Sequence, residues 1–329
     1  MSDASGPDEF ALIARHFAPL ARRAPLAFDL KDDAAVLRPP LGYDVVLTAD
    51  CMVAGVHFFA DDDPGHIARK LLRVNLSDLA AKGAMPMGYL LTASFPPTID
   101  EGWIAAFAAG LGADQVEFGI DLLGGDTVAS PGPMTFTIAA CGLVPCGAMI
   151  RRSGAKAGDH VFVSGTVGDA ALALAIRKGQ IAPPPAADAL FLRGRFLLPE
   201  PRLGLGQGLI GAASACIDVS DGLIQDVGHI AATSGVACEV WSASIPLSEA
   251  AAAIVAADPA RLAELATGGD DYELAFTAAP AAEQRILDLA ARLGVKVTRI
   301  GRVGAGQGVV TLDAKGSPMD LRRTGYRHF

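Results

Sequence analysis

The chain has 329 residues, of which 51 % are hydrophobic and 19 % charged, so it is long enough for two packed domains and too apolar to be disordered. Its formal net charge is −9, and its lysines and arginines form no long run, which argues against nucleic-acid binding. No apolar run approaches the length of a membrane span, and the N-terminus is acidic where a signal peptide would be basic. We therefore expect a soluble cytoplasmic protein without nucleic-acid or membrane partners.

Apolar periodicity and strand-forming residues predict regular elements along the first half of the chain. The predicted elements are, in chain order, an amphipathic helix over 8–22, a strand over 44–49 that ends at Asp50, a helix over 64–79, a helix over 99–111, a strand over 119–123 that ends at Gly124-Gly125-Asp126, and a strand over 134–144. A polar, glycine-rich segment over 145–159 is the best candidate for a domain boundary.

The second half continues the alternation of strands and helices. Residues 160–164 predict a strand, 170–178 predict an alanine-rich helix, and Pro183-Pro184-Pro185 indicates an exposed loop. Strands alternating with helices in both halves predict an α/β or α+β protein of two domains. We expect these domains to be residues 1–147 and 148–329.

Acidic residues recur beside glycines or at predicted element ends. The segments are Asp32-Asp33, Thr48-Ala49-Asp50, Asn75-Leu76-Ser77-Asp78, Gly124-Gly125-Asp126, Asp218-Val219-Ser220-Asp221-Gly222 and Gly268-Gly269-Asp270-Asp271. Mg²⁺ is usually held by one or two carboxylates together with waters and substrate phosphates. Carboxylates brought together without a cation would repel one another in a partly desolvated site. If these segments converge in the fold, they predict a site for magnesium and a nucleotide.

Each acidic motif also has a structural interpretation. Asp78 is expected in the last turn of a helix, where the helix dipole does not stabilise an anion, so a nearby cation is favoured. The glycines before Asp126 would let backbone N–H groups approach a phosphate, but Asp126 could simply close a turn. Asp221 could cap the helix that follows it, whereas Asp218 fits that role less well, and Ser220 could donate its hydroxyl to a phosphate.

Several nucleotide-site and catalytic patterns are absent or out of context. The chain contains no Gly-Lys dipeptide and therefore no phosphate-binding loop of the Gly-x4-Gly-Lys type. A Gly-x-Gly-x-x-Gly pattern over 206–211 does not follow a predicted strand, so we interpret it as a glycine-rich helix packed on a sheet. His57 could be a packing residue, and Arg152 could bind phosphate or lie in solvent. No catalytic nucleophile or base is predicted.

Taken together, the ordered motifs resemble the thiamine-monophosphate kinases, whose superfamily also contains aminoimidazole ribonucleotide synthetase. The resemblance covers nearly the whole chain and is carried by Phe10–Arg15, Asp32–Ala35, Thr48–Asp50, Gly55–Phe58, Val74–Ala81, Gly124–Thr127, Arg152–Asp159, Ile217–Leu223, Gly268–Leu274 and Gly325–Phe329. It implies a two-domain aminoimidazole ribonucleotide synthetase-like fold, each domain a mixed β-sheet covered by helices. It also implies a homodimer formed through the N-terminal domains.

The resemblance further implies ATP-dependent phosphorylation of thiamine monophosphate to thiamine diphosphate, by direct in-line transfer and without a phosphoenzyme. The metal ligands it implies for a cluster of Mg²⁺ ions are Asp33, Thr48, Ala49 through its backbone carbonyl, Asp50, Asp78, Asp126, Asp218 and, for a further ion, Asp221. The ATP contacts it implies are Gly125, Asp126, Arg152 and Ser220. The contacts to thiamine monophosphate are His57, Asp270 and an aromatic residue near the C-terminus, for which we take Tyr326.

This chain departs from the family pattern at four positions: Lys31 stands for a glycine, Ala49 for a threonine, Asp270 for a glutamate and Arg323 for a tryptophan. The last departure leaves open whether position 323 or 326 contacts the substrate. Two other interpretations also remain: another ATP-dependent enzyme of the same superfamily, or a nucleotide-binding module without activity. The full set of acidic positions argues against a silent module, because unused carboxylate clusters are destabilising.

Overall fold

A computed structural model describes residues 9–321 and 323–326. The chain divides into two compact units. One unit comprises residues up to Leu79 together with Met85–Gly147, and the other comprises Ala80–Ala84 and the chain from Ala148 onward. Among the described residues, no helix has the length and hydrophobicity needed to cross a membrane.

The first unit is a four-stranded mixed sheet with helices. Its elements are, in chain order, α1 (Glu9–Leu12), β1 (Tyr43–Val53), α2 (Pro64–Ala81, whose last two residues belong to the second unit), β2 (Met85–Phe95), α3 (Glu101–Phe118), β3 (Asp121–Ala129) and β4 (Thr135–Pro145). The sheet order is β1-β4-β2-β3, with β2 and β3 parallel and the other neighbours antiparallel.

The helices bury one face of this sheet. Phe107 of α3 packs on Phe136 of β4 with ring centroids 4.7 Å apart, and Leu71 and Leu72 of α2 are fully buried. α3 begins where the Asp100 carboxylate accepts the backbone N–H of Trp103 at 3.0 Å. The opposite face of the sheet carries exposed apolar side chains, because strand residues alternate between the two faces.

Three predictions for this unit need correction. The strand predicted over 44–49 continues to Val53, so Asp50 lies inside it, and the strand predicted over 119–123 continues to Ala129. Pairing with neighbouring strands extends both, and no local signal reports that pairing. The helix predicted over 8–22 is α-helical only to Leu12 in the described residues and continues as π and 3₁₀ turns. Pro19 has no N–H group and cannot support a regular α-helix there.

The second unit is built on a six-stranded mixed sheet in the order β10-β7-β9-β5-β8-β6, with β10 and β7 parallel. Its elements are β5 (His160–Ser164), α4 (Asp169–Arg177), α5 (Ala186–Leu197), α6 (Leu203–Gly208), β6 (Ala215–Asp218), α7 (Leu223–Ser234), β7 (Ala237–Trp241), α8 (Glu249–Ala257), α9 (Arg261–Ala266), β8 (Leu274–Ala278), α10 (Glu283–Leu293), β9 (Val297–Gly304) and β10 (Gly308–Leu312). Two mixed sheets with helices confirm the predicted α/β fold class.

Both faces of the second sheet are buried. Val161 and Val163 lie in one apolar cluster, whereas Phe162 stacks on Phe276 in the other, with ring centroids 5.3 Å apart. Alternate residues of the central strand β5 therefore pack into the apolar clusters on opposite faces of the sheet. The glycine-rich segment over 206–211 begins in α6, where a Cβ on Gly206 would lie 1.9 Å from the carbonyl oxygen of Ala80. The absence of a side chain at Gly206 therefore lets α6 pack closely against the C-terminal end of α2.

Candidate functional site

Three predicted metal ligands of the first unit meet between β1 and the last turns of α2. The Thr48 hydroxyl donates a hydrogen bond to the Asp78 carboxylate. The backbone N–H of Asp50 donates to Oδ1 of Asn75 at 3.1 Å. Asn75 is itself held by a 2.9 Å bond from Nδ2 to the carbonyl of Leu71. Because Asn75 and Asp78 are three residues apart on one helix, they face the same strand.

The electrostatics of this group favour a cation. Burial and, to a smaller extent, the neighbouring charge of Asp78 together raise the pKa of Asp50 to about 6. A carboxylate in this state is costly to ionise without a positive partner. Thr48, Asp50 and Asp78 offer oxygen donors only, which is the donor set that Mg²⁺ prefers. These side chains therefore fit the implied metal.

Ala49 and Asp126 lie on the other face of the same sheet. Ala49 alternates with Thr48 and Asp50, so its side chain is exposed and only its backbone carbonyl could serve as a ligand. Asp126 of β3 is in register with Thr92 and is exposed. β1 and β3 are the two outer strands, about 14 Å apart at the usual strand spacing. Within this unit Asp126 is therefore not brought to Asp50.

Position 125 requires a glycine because the neighbouring strand leaves no room for a side chain there. A Cβ at this position would lie 1.8 Å from the carbonyl oxygen of Leu91 on the neighbouring strand, and its φ is +152°. The Gly124-Gly125-Asp126 motif consequently lies inside a strand, and both the predicted strand end and the alternative turn are wrong.

Asp33 lies in the exposed loop that precedes β1. Its backbone N–H donates to Oδ1 of Asp32 at 2.8 Å. Both residues line an open cavity of about 740 Å³, whose other walls include Phe10, Ile13 and Arg22. Asp33 is thus available to a ligand in solution.

His57 follows β1 and has a defined tautomer. Its Nδ1 accepts the backbone N–H of Val53 at 3.0 Å, so the neutral ring carries its proton on Nε2. The carbonyl of His57 accepts a 3.4 Å bond from Lys70 Nζ. The ring is half-buried and can present an N–H donor to an anionic group.

In the second unit, a buried carboxylate organises the loop between β6 and α7. Asp218 ends β6 and is buried. Oδ2 of Asp226 accepts the backbone N–H groups of Ser220, Asp221 and Gly222, each at 3.1 Å. α7 has Gly222 at its N-cap and no side-chain cap, so the alternative that Asp221 caps this helix is wrong. Sequence reasoning missed Asp226, whose only signal is an acidic residue in the first turn.

The same loop carries a second group of possible metal ligands. Among the described residues, Asp221, Asp226 and His229 are the one set of three acidic, histidine or cysteine side chains whose ligand atoms all lie within 4.8 Å of one another. Burial and the charge of Asp221 outweigh the three N–H groups that favour the anion, and the pKa of Asp226 is raised to about 7. Because Oδ2 of Asp226 is already engaged, this set is less suited to Mg²⁺ than the Asp50 site.

The loop before β8 and the C-terminal segment both pair with this β6–α7 loop. The backbone N–H of Asp270 donates to the Ser220 carbonyl at 2.8 Å, and that of Tyr326 donates to the Asp221 carbonyl at 2.9 Å. A Cβ on Gly269 would lie 2.4 Å from the Ser220 carbonyl oxygen. Asp270 has a φ of +71°, an uncommon conformation for a residue other than glycine. The structure thus brings together Ser220, Asp221, Asp270 and Tyr326, four of the predicted site residues.

Arg152 is exposed and lies near the start of the second predicted domain. Its backbone carbonyl accepts a long 3.5 Å bond from the Ser234 hydroxyl, which also accepts the N–H of Gly154 at 3.1 Å. Ser234 therefore orders the backbone that presents the guanidinium.

Sequence reasoning also missed a buried ion network beside Asp270. Glu273 is completely buried, and its carboxylate accepts bonds from Arg195 at 2.7 Å, from Arg202 at 2.6 and 2.7 Å, and from the Ser164 hydroxyl at 2.6 Å. Both oxygens of buried Asp271 accept the backbone N–H of Gly168, at 2.8 and 3.0 Å. These contacts fix the backbone between Asp270 and the start of β8 at Leu274.

The fold and its acidic loops define a class of protein. Residues 31–144 match the family model of the N-terminal domain of AIR synthase related proteins, and residues 156–313 match that of the C-terminal domain. These two matches cover most of the chain and coincide with the two sheets.

Individual relatives narrow the class. The thiamine-monophosphate kinase of Caulobacter vibrioides is 44 % identical over 328 residues, 99 % of this chain and 92 % of that protein. The crystal structure of the thiamine-monophosphate kinase from Stenotrophomonas maltophilia K279a has a TM-score of 0.84 at 42 % identity and covers 95 % of this chain and 98 % of that one. AaThiL complexed with AMPPCP and TMP has a TM-score of 0.78 at 28 % identity, with 91 % of each chain covered. This chain belongs to the thiamine-monophosphate kinase family, which confirms the resemblance inferred from its motifs.

Proposed function

We propose that this protein transfers a phosphoryl group from ATP to thiamine monophosphate, producing thiamine diphosphate and ADP as the last step of thiamine diphosphate biosynthesis. Full-length similarity to thiamine-monophosphate kinases supports this assignment, as does the fold shared with AaThiL, which binds AMPPCP and TMP. The observation that carries the proposal is the half-buried Asp50–Asp78 pair, which with Thr48 offers an all-oxygen donor set. We place the reaction in the cytoplasm, where ATP is supplied.

The chemistry requires positioning and charge neutralisation more than a catalytic base. The residues proposed to hold Mg²⁺ are Asp33, Thr48, Ala49 through its carbonyl, Asp50, Asp78 and Asp126 in the first unit, and Asp218 and Asp221 in the second. Bound there, Mg²⁺ would offset the negative charge of the ATP phosphates. The acceptor phosphate of thiamine monophosphate is already an anion near neutral pH, so direct in-line attack needs no proton removal by the protein.

The remaining site residues bind and orient the two substrates. The ATP contacts are proposed to be Gly125 and Asp126, together with the hydroxyl of Ser220 and the planar guanidinium of Arg152. For thiamine monophosphate, the Nε2–H of His57 is a donor suited to its phosphate or pyrimidine. The carboxylate of Asp270 and the ring of Tyr326 suit its cationic thiazolium.

We also propose that the protein is a homodimer formed through the first unit. The outer face of its sheet exposes Leu47 of β1, Leu90 of β2 and Val128 of β3, which are 74, 47 and 44 % exposed. An apolar face of this kind is typical of a protein interface. Asp126 lies on the same face, so a second copy packed there would be its neighbour.

A turnover assay tests the proposed function. The purified chain is incubated with ATP and Mg²⁺, with thiamine monophosphate, with unphosphorylated thiamine or with no acceptor, and both ADP and thiamine diphosphate are measured. We expect ADP to form only with thiamine monophosphate and in equal amount to thiamine diphosphate. Equal ADP formation without the acceptor would indicate another ATP-dependent activity of the superfamily, and no turnover would indicate a binding module.

A further inference from the structure

The C-terminal segment Gly325–Tyr326 docks on the β6–α7 loop through one glutamine. Nε2 of Gln225 donates to the backbone carbonyl of Tyr326 at 2.9 Å and to Oδ2 of Asp221 at 3.0 Å. The backbone N–H of Tyr326 donates to the carbonyl of Asp221 at 2.9 Å. A single amide group therefore joins a proposed metal ligand to the residue proposed to contact the acceptor.

Close packing of Gly325 against Gln225 restricts the position of the C-terminal segment beyond what the hydrogen bonds do. A Cβ on Gly325 would lie 2.6 Å from Cβ of Gln225 and 2.7 Å from its Oε1. The segment thus rests against the glutamine side chain at a distance that only glycine permits. On the other side, Asp226 holds the loop backbone through the N–H groups of Ser220, Asp221 and Gly222. Tyr326 is consequently bound to a loop that is itself fixed.

We propose that Gln225 is a positioning residue that holds Tyr326 in place for the acceptor by tying its carbonyl to the Asp221 carboxylate. The inference rests on the proposed function, because it assigns Tyr326 to the thiamine monophosphate site. Without the glutamine amide, the segment loses the hydrogen bond at the Tyr326 carbonyl and samples more conformations. The acceptor then has to order the segment on binding, which weakens its affinity without changing the ATP contacts.

The test compares Gln225→Ala with Thr233→Ala, a variant on the same helix whose hydroxyl bonds only to the carbonyls of His229 and Ile230. We expect Gln225→Ala to raise the KM for thiamine monophosphate about tenfold, with the KM for ATP within about twofold. Gln225→Glu should raise it further, because its carboxylate would face Oδ2 of Asp221 and the Tyr326 carbonyl. Thr233→Ala should leave both constants unchanged.

Hydrogen exchange of the Tyr326 amide in the ligand-free, metal-free protein gives a readout that is independent of activity. It should be faster in Gln225→Ala than in the wild type or in Thr233→Ala. In a Tyr326→Ala background, Gln225→Ala should add little to the KM for thiamine monophosphate, since both changes act through the same contact. If exchange and KM are unchanged in an active Gln225→Ala enzyme, the inference is wrong and the proposed function stands. If the wild type does not phosphorylate thiamine monophosphate, the proposed function fails instead.

Discussion

Asp50 in the first unit is a half-buried carboxylate and Glu273 in the second is a completely buried one, and their pKa values are shifted in opposite directions. Burial and the charge of Asp78 together raise the pKa of Asp50 to about 6. Burial also acts to raise the pKa of Glu273, but the bonds and charges of Arg202 and Arg195 and the Ser164 hydroxyl outweigh it, and the pKa is lowered. The two sites differ in the sign of the nearest charge.

This difference separates structural carboxylates from functional ones. Glu273 has its counter-charge within the protein, so its network is complete without a ligand and serves stability. The pKa of Asp50 is raised by burial and by another carboxylate, and we propose that a cation from solution completes its site. A buried acidic residue is therefore a metal candidate when its neighbours raise its pKa, and a poor one when arginines lower it.

The largest effect should come from breaking the Glu273 network. Glu273→Gln removes the anion that Arg195 and Arg202 share and leaves Arg202 with Glu200 and Arg195 with the more distant Asp169. The loss of this charge inside the protein should lower the free energy of unfolding by about 3–5 kcal/mol. Chemical denaturation measures this loss. Glu264→Gln removes an exposed partner of Arg261 and should leave the free energy of unfolding nearly unchanged, because solvent screens this pair. Equal losses in the two variants would contradict the distinction between the two kinds of carboxylate.

Removing the charge of Asp50 should affect activity rather than folding. Asp50→Asn should lower kcat/KM on the order of a hundredfold or more, because a metal ligand in phosphoryl transfer is lost. Circular dichroism and a melting curve would verify that the variant is folded. Near-normal turnover at saturating Mg²⁺ would remove Asp50 from the site.

The acceptor site predicts a smaller change. Asp270→Asn keeps the residue size and tolerates the left-handed backbone at this position, but removes the charge that faces the thiazolium. If Asp270 contacts the acceptor as proposed, the KM for thiamine monophosphate should rise by about ten- to a hundredfold, with little change in the KM for ATP. If only the KM for ATP rises, the acceptor lies elsewhere.

The raised pKa of Asp50 predicts a modest pH dependence in the metal-free protein. A carboxyl group whose pKa is raised on folding stabilises the native state at low pH and loses that contribution as pH rises between 3.8 and about 6. Asp50→Asn has no such group. Melting temperatures of the variant and the wild type are measured in EDTA, and the value for the variant minus that for the wild type should increase from pH 4 to pH 7. A difference that stays constant would mean that the pKa of Asp50 is not raised on folding.

Local patterns predicted the parts of the fold and site that depend on local sequence. The 64–79 helix, Asp78 in its last turn and the β6–α7 junction all follow from periodicity and turn residues. Contacts distant in sequence were not predictable. The position of Asp126 depends on the strand order, and the Glu273 network depends on two arginines more than 70 residues away. Gln225 had no signal at all, because its proposed role depends on a contact with Tyr326, which is 101 residues away.

Thermal unfolding in EDTA and in Mg²⁺ with a non-hydrolysable ATP analogue tests the central claim most directly. A ligand that binds only the native state raises Tm by mass action. The account predicts a clear rise for the wild type, little or none for Asp50→Asn, and a lower starting Tm but an undiminished rise for Glu273→Gln. A wild-type Tm that is the same in both conditions, or a rise retained in Asp50→Asn and lost in Glu273→Gln, would contradict it.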